Sequence, residues 1–226
     1  MFLVYYGLTF LIGSHGVDAE RYVLDLERTA KAPFSDFFNI VGGLYSDTTV
    51  DIVQPFITFI VSRFTSHHGL LFAIYTALFA FFYLKSVNLL YREYRTNPGW
   101  NSIVFLAFFI MIMPVTSVGG VRMPIAMWIF FFGAWHVILY RDLKYLPVAL
   151  SASLVHWSFL TVNVLLILYY FAGNRNIIYY PVVILSFLTP DLLSPFFQGA
   201  AMSLGGPIQT RYENYSSEAY ITGIQE

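Results

Sequence analysis

Two side chains in this 226-residue sequence combine reactive chemistry with a setting that invites its use. Arg122 stands in Gly119-Gly120-Val121-Arg122-Met123-Pro124, where a long apolar run begins. Pro124 suits the first turn of a helix, whose earliest N–H groups have no intrahelical partner. Such a helix start carries exposed donors and positive dipole character, the glycines let a ligand approach the backbone, and the guanidinium adds a planar fork for oxyanions. That combination suits a diphosphate or a carboxylate. The competing reading is an arginine that snorkels to lipid headgroups. His156, in Leu154-Val155-His156-Trp157-Ser158-Phe159, is the second candidate. Imidazole takes and returns a proton near neutral pH, although a histidine beside a tryptophan is also ordinary at a membrane interface.

Other chemistries have little support. There is no Gly-x-Ser-x-Gly, no Gly-x-x-x-x-Gly-Lys and no His-Glu-x-x-His, so serine hydrolase, ATPase and metalloprotease readings lack their residues. The absence of cysteine removes disulfides, thiolate metal sites and a cysteine nucleophile. His67-His68 lacks a nearby third ligand, so no metal site is expected there. His136, between Trp135 and Tyr140, reads as an interfacial belt residue. A net charge of -1 with no basic stripe argues against a nucleic-acid partner.

The elements that must position these residues are set by hydrophobicity. The chain is 58% hydrophobic and 11% charged, against roughly 25% charged in a soluble domain. Leu70 to Leu84 and Ile103 to Val115 carry no charge, as a helix crossing hydrocarbon requires. The expected fold is all-α: a polytopic transmembrane bundle of about seven membrane segments, forming one integral-membrane domain over residues 1–226. Residues 1–14 read as part of a longer first helix, with no basic n-region or cleavage site of a secretory leader. Further segments fall near 68–84, 101–117, 120–140, 146–157, 158–172 and 177–192. The stretch from Tyr145 to Phe171 is expected to break at His156-Trp157-Ser158.

Alternating these segments across a bilayer puts Lys85, Arg92, Arg95, Arg141, Lys144 and Arg175 on one side. Nearly all the acids fall on the other, including Asp18, Glu20, Asp25, Glu27, Asp36, Asp47, Asp51 and Asp191. The positive-inside rule makes the first side cytoplasmic. The loop 15–67 and the polar tail 193–226 then face outward, and Arg122 is a cation on the acidic side. In the outer loop, Asp18-Ala-Glu20-Arg21 echoes Asp25-Leu-Glu27-Arg28, with charges spaced to pair along a solvated helix. Asp51 to Thr65 is a second amphipathic stretch, with Ile52, Phe56, Phe59 and Ile60 expected on one side at the membrane interface.

Gly16-Val17-Asp18 followed by Tyr22, Gly120-Val121-Arg122 with Ala126 one turn on, the turn from Arg141 to Lys144, Ala152 with His156-Trp157-Ser158, and the late Arg211-Tyr212 with Tyr215 together resemble the EpsG family of Wzy-like bacterial membrane proteins. The resemblance runs in order from about residue 16 to 215. It departs at Met123, where many relatives carry glutamine, and in length, since relatives usually continue with further spans; the chain is accordingly expected to be a piece of a longer protein. What the resemblance implies is polymerisation of undecaprenyl-diphosphate-linked oligosaccharide repeat units in exopolysaccharide, capsule or O-antigen synthesis, at the outer face of the bacterial cytoplasmic membrane. Arg122 and Arg211 would bind the diphosphate, His156 and Asp18 would be the catalytic residues, and Tyr22 and Tyr215 would position sugars. No cofactor is implied, because the diphosphate bond stores the energy. The implied partners are the lipid-linked oligosaccharide, the bilayer and other polysaccharide export proteins. An integral-membrane acyltransferase or a non-catalytic export component are the competing functions.

Overall fold

Runs of Leu, Phe, Ile and Ala without charge have one low-energy option away from water, which is to satisfy their backbone within a helix. The computed structural model describes residues 1–10, 17–42, 51–95, 99–112 and 121–175, with isolated positions at 177, 179–181, 183, 199 and 202–203. Among the described residues the regular structure is all helical. In chain order the helices are α1 (Phe2–Leu8), α2 (Val17–Lys31), α3 (Phe37–Val41), α4 (Val53–Ser62), α5 (His68–Tyr94), α6 (Trp100–Ile112), α7 (Arg122–Leu139), α8 (Leu146–Val155) and α9 (Phe159–Ala172). Two of them, α5 and α7, are long and apolar enough to cross a membrane. At 1.5 Å per residue they reach about 40 and 27 Å. The shorter apolar helices α4, α8 and α9 do not reach that length on their own, so the expected count of seven membrane segments is not what these helices display.

Ring contacts give the helix directions. Tyr83 of α5 meets Trp128 of α7 at 5.0 Å, and Phe82 meets Phe132 at 5.9 Å. Further along both helices, the Tyr140 hydroxyl donates to Glu93 at 3.5 Å. Helices α5 and α7 therefore run parallel. The intervening α6 runs back between them, with Phe105 near Tyr94 and Phe109 on Trp128. The break expected at His156-Trp157-Ser158 is present, since α8 ends at Val155 and α9 starts at Phe159. Asn163 Nδ2 donates to Ser153 Oγ at 2.7 Å, so α8 and α9 fold back on each other as a helical hairpin with His156 to Ser158 at its tip. Arg141 and Lys144 then lie together at one end of the bundle, where Arg141 Nη1 donates to Tyr170 O at 3.3 Å and Lys144 pairs with Asp142 at 3.2 Å. Arg122 lies at the opposite end of α7.

Helix α7 is the hub, packed on α5, α8 and α9. Its closest approach is to α8 at Gly133, where a Cβ would stand 2.5 Å from Ala149 N and 2.8 Å from Ala149 Cα. Tyr75, Phe79, Trp128, Ile125, Ala126 and Ala152 fill the core between these helices.

The amphipathic helix expected in the first loop is α2, laid on α4 with Tyr22, Leu26 and Thr29 turned inward. Arg63, just after α4, closes the far end of α2: its guanidinium donates to Ala32 O at 2.8 Å and to Thr29 O. Thr29 O also accepts the N–H of Ala32 at 3.1 Å, so the guanidinium reinforces the turn that ends the helix. On α4, Ile52, Phe56 and Ile60 form the expected exposed stripe. Phe59 departs from it. It is fully buried, with Phe37 edge-on at 5.0 Å and Arg63 over its ring, because the crossing of α3 over α4 claims that position. Phe34, Phe38 and Phe64 remain exposed beside it.

Asp25 sits half-buried on α2. Burial pushes its carboxyl above the usual range, and the opposing effects of Arg21, Arg28, a hydrogen bond to Gln54 and Arg122 do not cancel this. A raised folded-state value means that folding is favoured while the acid is protonated, and that this advantage is lost as pH rises through the folded value. Asp25→Asn should therefore unfold at a higher temperature than the parent at pH 7, with the gap closing below about pH 4, where both states of the acid are protonated; thermal unfolding in detergent across pH reads this. Gly133→Ala should destabilise the α7–α8 contact by about 1–3 kcal/mol. A companion Ala149→Gly should not rescue it, since the obstructing atoms are backbone.

Candidate functional site

Arg122 is the first residue of α7. Its surroundings are built by three other segments, and they do not let it snorkel. Nη1 lies 2.7 Å from Oδ2 of Asp51, and the two side chains are 14% and 0% exposed. Nε donates to the hydroxyl of Tyr22 at 3.0 Å, with the guanidinium carbon 5.8 Å from the ring centroid. The fork is thus held on two edges, by a carboxylate and by a phenol. Each of these contacts fixes direction, which a flexible lysine ammonium would not match.

Asp51 comes from the segment leading into α4. Its other oxygen, Oδ1, accepts the backbone N–H of Trp157 at 2.9 Å, and the next residue, Ile52, donates its N–H to Leu154 O at 2.9 Å. The segment before α4 is thereby clasped to the tip of the α8–α9 hairpin. A buried carboxylate needs such partners, because leaving water costs several kcal/mol per ion unless charges and hydrogen bonds replace the lost solvation.

The tip carries the second candidate. His156 closes α8 in an extended conformation, with φ -146° and ψ 116°. Its N–H donates to Ala152 O at 2.9 Å, and its Nδ1 accepts from Ser158 N–H at 3.4 Å, a long contact. The imidazole is half-buried. Because Trp157 is bonded to the carboxylate that pairs with Arg122, His156 and Arg122 are separated by one residue and one side-chain bridge, although 34 positions part them in the chain.

Behind Arg122 the polar network continues inward. Tyr22, fully buried, has its ring 6.2 Å from that of Tyr75. The Tyr75 hydroxyl meets Thr58 Oγ1 at 3.2 Å and donates to Gln54 O at 3.4 Å, while Gln54 Nε2 donates to Thr58 Oγ1 at 3.2 Å. Gln54, Thr58 and Tyr75 are all buried. This layer ties α2, α4 and α5 to the start of α7.

The remaining expected site residues are placed as follows. Tyr22 faces Arg122 from the core, which is a different setting from the open ring on which a sugar stacks. Asp18 lies on α2, four positions before Tyr22 and therefore one turn away by helical register. Arg211 and Tyr215 lie outside the described residues. His136 is a core residue rather than a belt residue: it is buried, its Nδ1 lies 2.8 Å from Phe132 O, and its ring stacks on Tyr145 at 3.8 Å. His67 caps α5 by accepting the N–H of Gly69 at 3.1 Å.

Asp51 was the residue that spacing did not single out. It reads as one more acid among the outer-loop charges, at the head of an amphipathic stretch. The signal that points to it is the position of Arg122: an arginine at a largely apolar helix start needs a counter-ion, and an acid followed at once by an apolar helix is a candidate.

No curated protein and no solved structure shows a significant match to this chain. The model of the EpsG family matches it over residues 1–226, its whole length. With that match added to the Arg122 and His156 segments described above, this membrane protein belongs to the EpsG family.

Proposed function

We propose that the chain is a Wzy-like polymerase of the bacterial cytoplasmic membrane, multi-pass, joining oligosaccharide repeat units carried on undecaprenyl diphosphate. The observation that carries this reading is the bridge that brings Arg122 and His156 together at the end of the bundle away from Arg141 and Lys144. An oxyanion site and a proton-transfer group on segments joined through one carboxylate, on the outer face by the charge of the loops, suit the transfer of a glycosyl group from a lipid diphosphate.

In that reaction a sugar hydroxyl of one repeat unit attacks the anomeric carbon of another. The new C–O bond forms as the bond from that carbon to the diphosphate oxygen breaks, and the electron pair leaves with undecaprenyl diphosphate. The hydroxyl proton passes to His156, while the charge growing on the diphosphate falls to Arg122 and the first N–H groups of α7. Tyr22 serves by holding Arg122 in place, and Asp18 meets sugar hydroxyls from the adjacent turn of α2. Arg211 and Tyr215 would add a second cation and a sugar contact from the outer tail. The exposed aromatic side chains of Phe34, Phe38, Phe56 and Phe64 suit a loop that rests on the outer leaflet. The family resemblance, the apolar helices and the segregation of cations support the membrane assignment.

Three variants test this in cells that make the polymer. Arg122→Lys keeps a cation for Asp51 but loses the fork, and His156→Ala removes the proton acceptor from a half-buried tip. Each should cut chain extension by about 10²-fold or more, with single repeat units still reaching the surface on gels that resolve polymer length. Polymer of parental length in both would sink the mechanism. Loss of surface repeat units in Arg122→Lys, with polymer of parental length in His156→Ala, would favour a lipid-diphosphate carrier role without catalysis. Tyr22→Phe removes one partner of Arg122 and should slow extension by about tenfold, in line with a hydrogen bond to a charged group.

A further inference from the structure

The residues assigned to the chemistry leave one buried charged group without a role. Asp51 is 1% exposed, and both its oxygens are used by different parts of the chain: Oδ2 by Arg122 at 2.7 Å and Oδ1 by the N–H of Trp157 at 2.9 Å. The backbone bond from Ile52 to Leu154 extends the same contact by one residue. Neither the start of α7 nor the tip of the α8–α9 hairpin is joined to the other by sequence, and the carboxylate is the group that touches both.

Resting on the polymerase reading, we propose that Asp51 is the positioning residue of the site. It holds the guanidinium of Arg122 and the His156–Trp157 tip in one arrangement, so that diphosphate binding and proton transfer occur at the same anomeric centre. It acts through these groups and does not meet the substrate itself, since its side chain is fully buried while that of Arg122 keeps a 14% opening. Its two contacts are separable. Asparagine retains an oxygen for Trp157 N–H and gives up the charge that orients Arg122. Alanine gives up both.

The sequence contains no cysteine, so a cysteine pair placed at Ile52 and Leu154 reports on the clasp without background. Both positions are exposed, at 44% and 47%, and their backbones are bonded. In the full-length protein in detergent, Ile52→Cys with Leu154→Cys should cross-link readily under mild oxidation. Adding Asp51→Ala should slow cross-linking at least fivefold, and adding Asp51→Asn should leave it near the parental rate. Binding is read with undecaprenyl diphosphate in micelles: Asp51→Asn should weaken it about tenfold. Leu90→Ala, which opens a cavity in the buried far end of α5 and touches none of these groups, should leave the affinity unchanged. Cross-linking of Asp51→Ala at the parental rate overturns the proposal, as does unchanged affinity in Asp51→Asn. A tenfold loss in Leu90→Ala as well would also overturn it, because the effect would then be one of general stability. If the parent does not bind undecaprenyl diphosphate, the polymerase reading fails, while the cross-linking rates still decide whether Asp51 holds the tip.

Discussion

The organisation of this protein depends on one buried carboxylate and what it must do to remain charged. Asp51 has no contact with water, and a carboxylate in such a place is tolerated when cationic and N–H donors replace its hydration. Arg122 and Trp157 N–H provide them. Removing one member of a buried ion pair typically costs about 3–5 kcal/mol, since the partner is left uncompensated. That is a large share of the stability of an ordinary domain, so the requirement to satisfy Asp51 ties together the start of α7, the turn of the hairpin and the segment before α4.

The helix packing makes the bridge possible. Helices α5 and α7 run parallel, and α8 and α9 double back, so that the start of α7 and the hairpin tip reach the same end. Close contact at Gly133 lets α8 lie against α7 with backbone nearly touching backbone. Small residues at a helix interface serve this purpose in membranes, where lipid is as apolar as leucine and packing must hold helices together. The polar layer of Tyr22, Gln54, Thr58 and Tyr75 supports the same end from below. It orients Arg122 through Tyr22 and ties the outer-loop helices to the bundle.

How much of this was legible in the sequence follows from which forces act locally. Helices were legible, because uncharged runs and amphipathic periods are properties of a segment alone. So was the break at His156-Trp157-Ser158, and so were Arg122 and His156 as residues out of keeping with their neighbours. The relative directions of α5 to α9 also followed from the alternation of loop charges. Pairings between distant segments were not legible. Asp51 is 71 positions from Arg122 and 106 from Trp157, and no periodicity links such residues. Phe59 and His136 were misplaced for a similar reason: each obeys the local pattern of an exposed or interfacial residue until α3 or Tyr145 covers it. Segment lengths were misjudged where polar residues continue a helix, as in α5, which runs past Lys85 to Tyr94.

The pairing also bears on how a diphosphate site can turn over. Under the proposed polymerase function, an arginine with no counter-ion at a helix start would be free to turn among its rotamers, and each diphosphate that bound would have to order it first. Catalysis gains from contacts that strengthen as charge develops, and uniform tight binding of ground state and product gives no such gain. A guanidinium already held by its buried carboxylate loses little freedom on binding, and this more than offsets the attraction that the carboxylate's charge takes away. Its directed N–H groups still meet the charge that builds on the leaving oxygen. On the polymerase reading the anion at Asp51 contributes by aim: without it the arginine keeps its charge but meets the diphosphate less often in the geometry that the leaving oxygen needs.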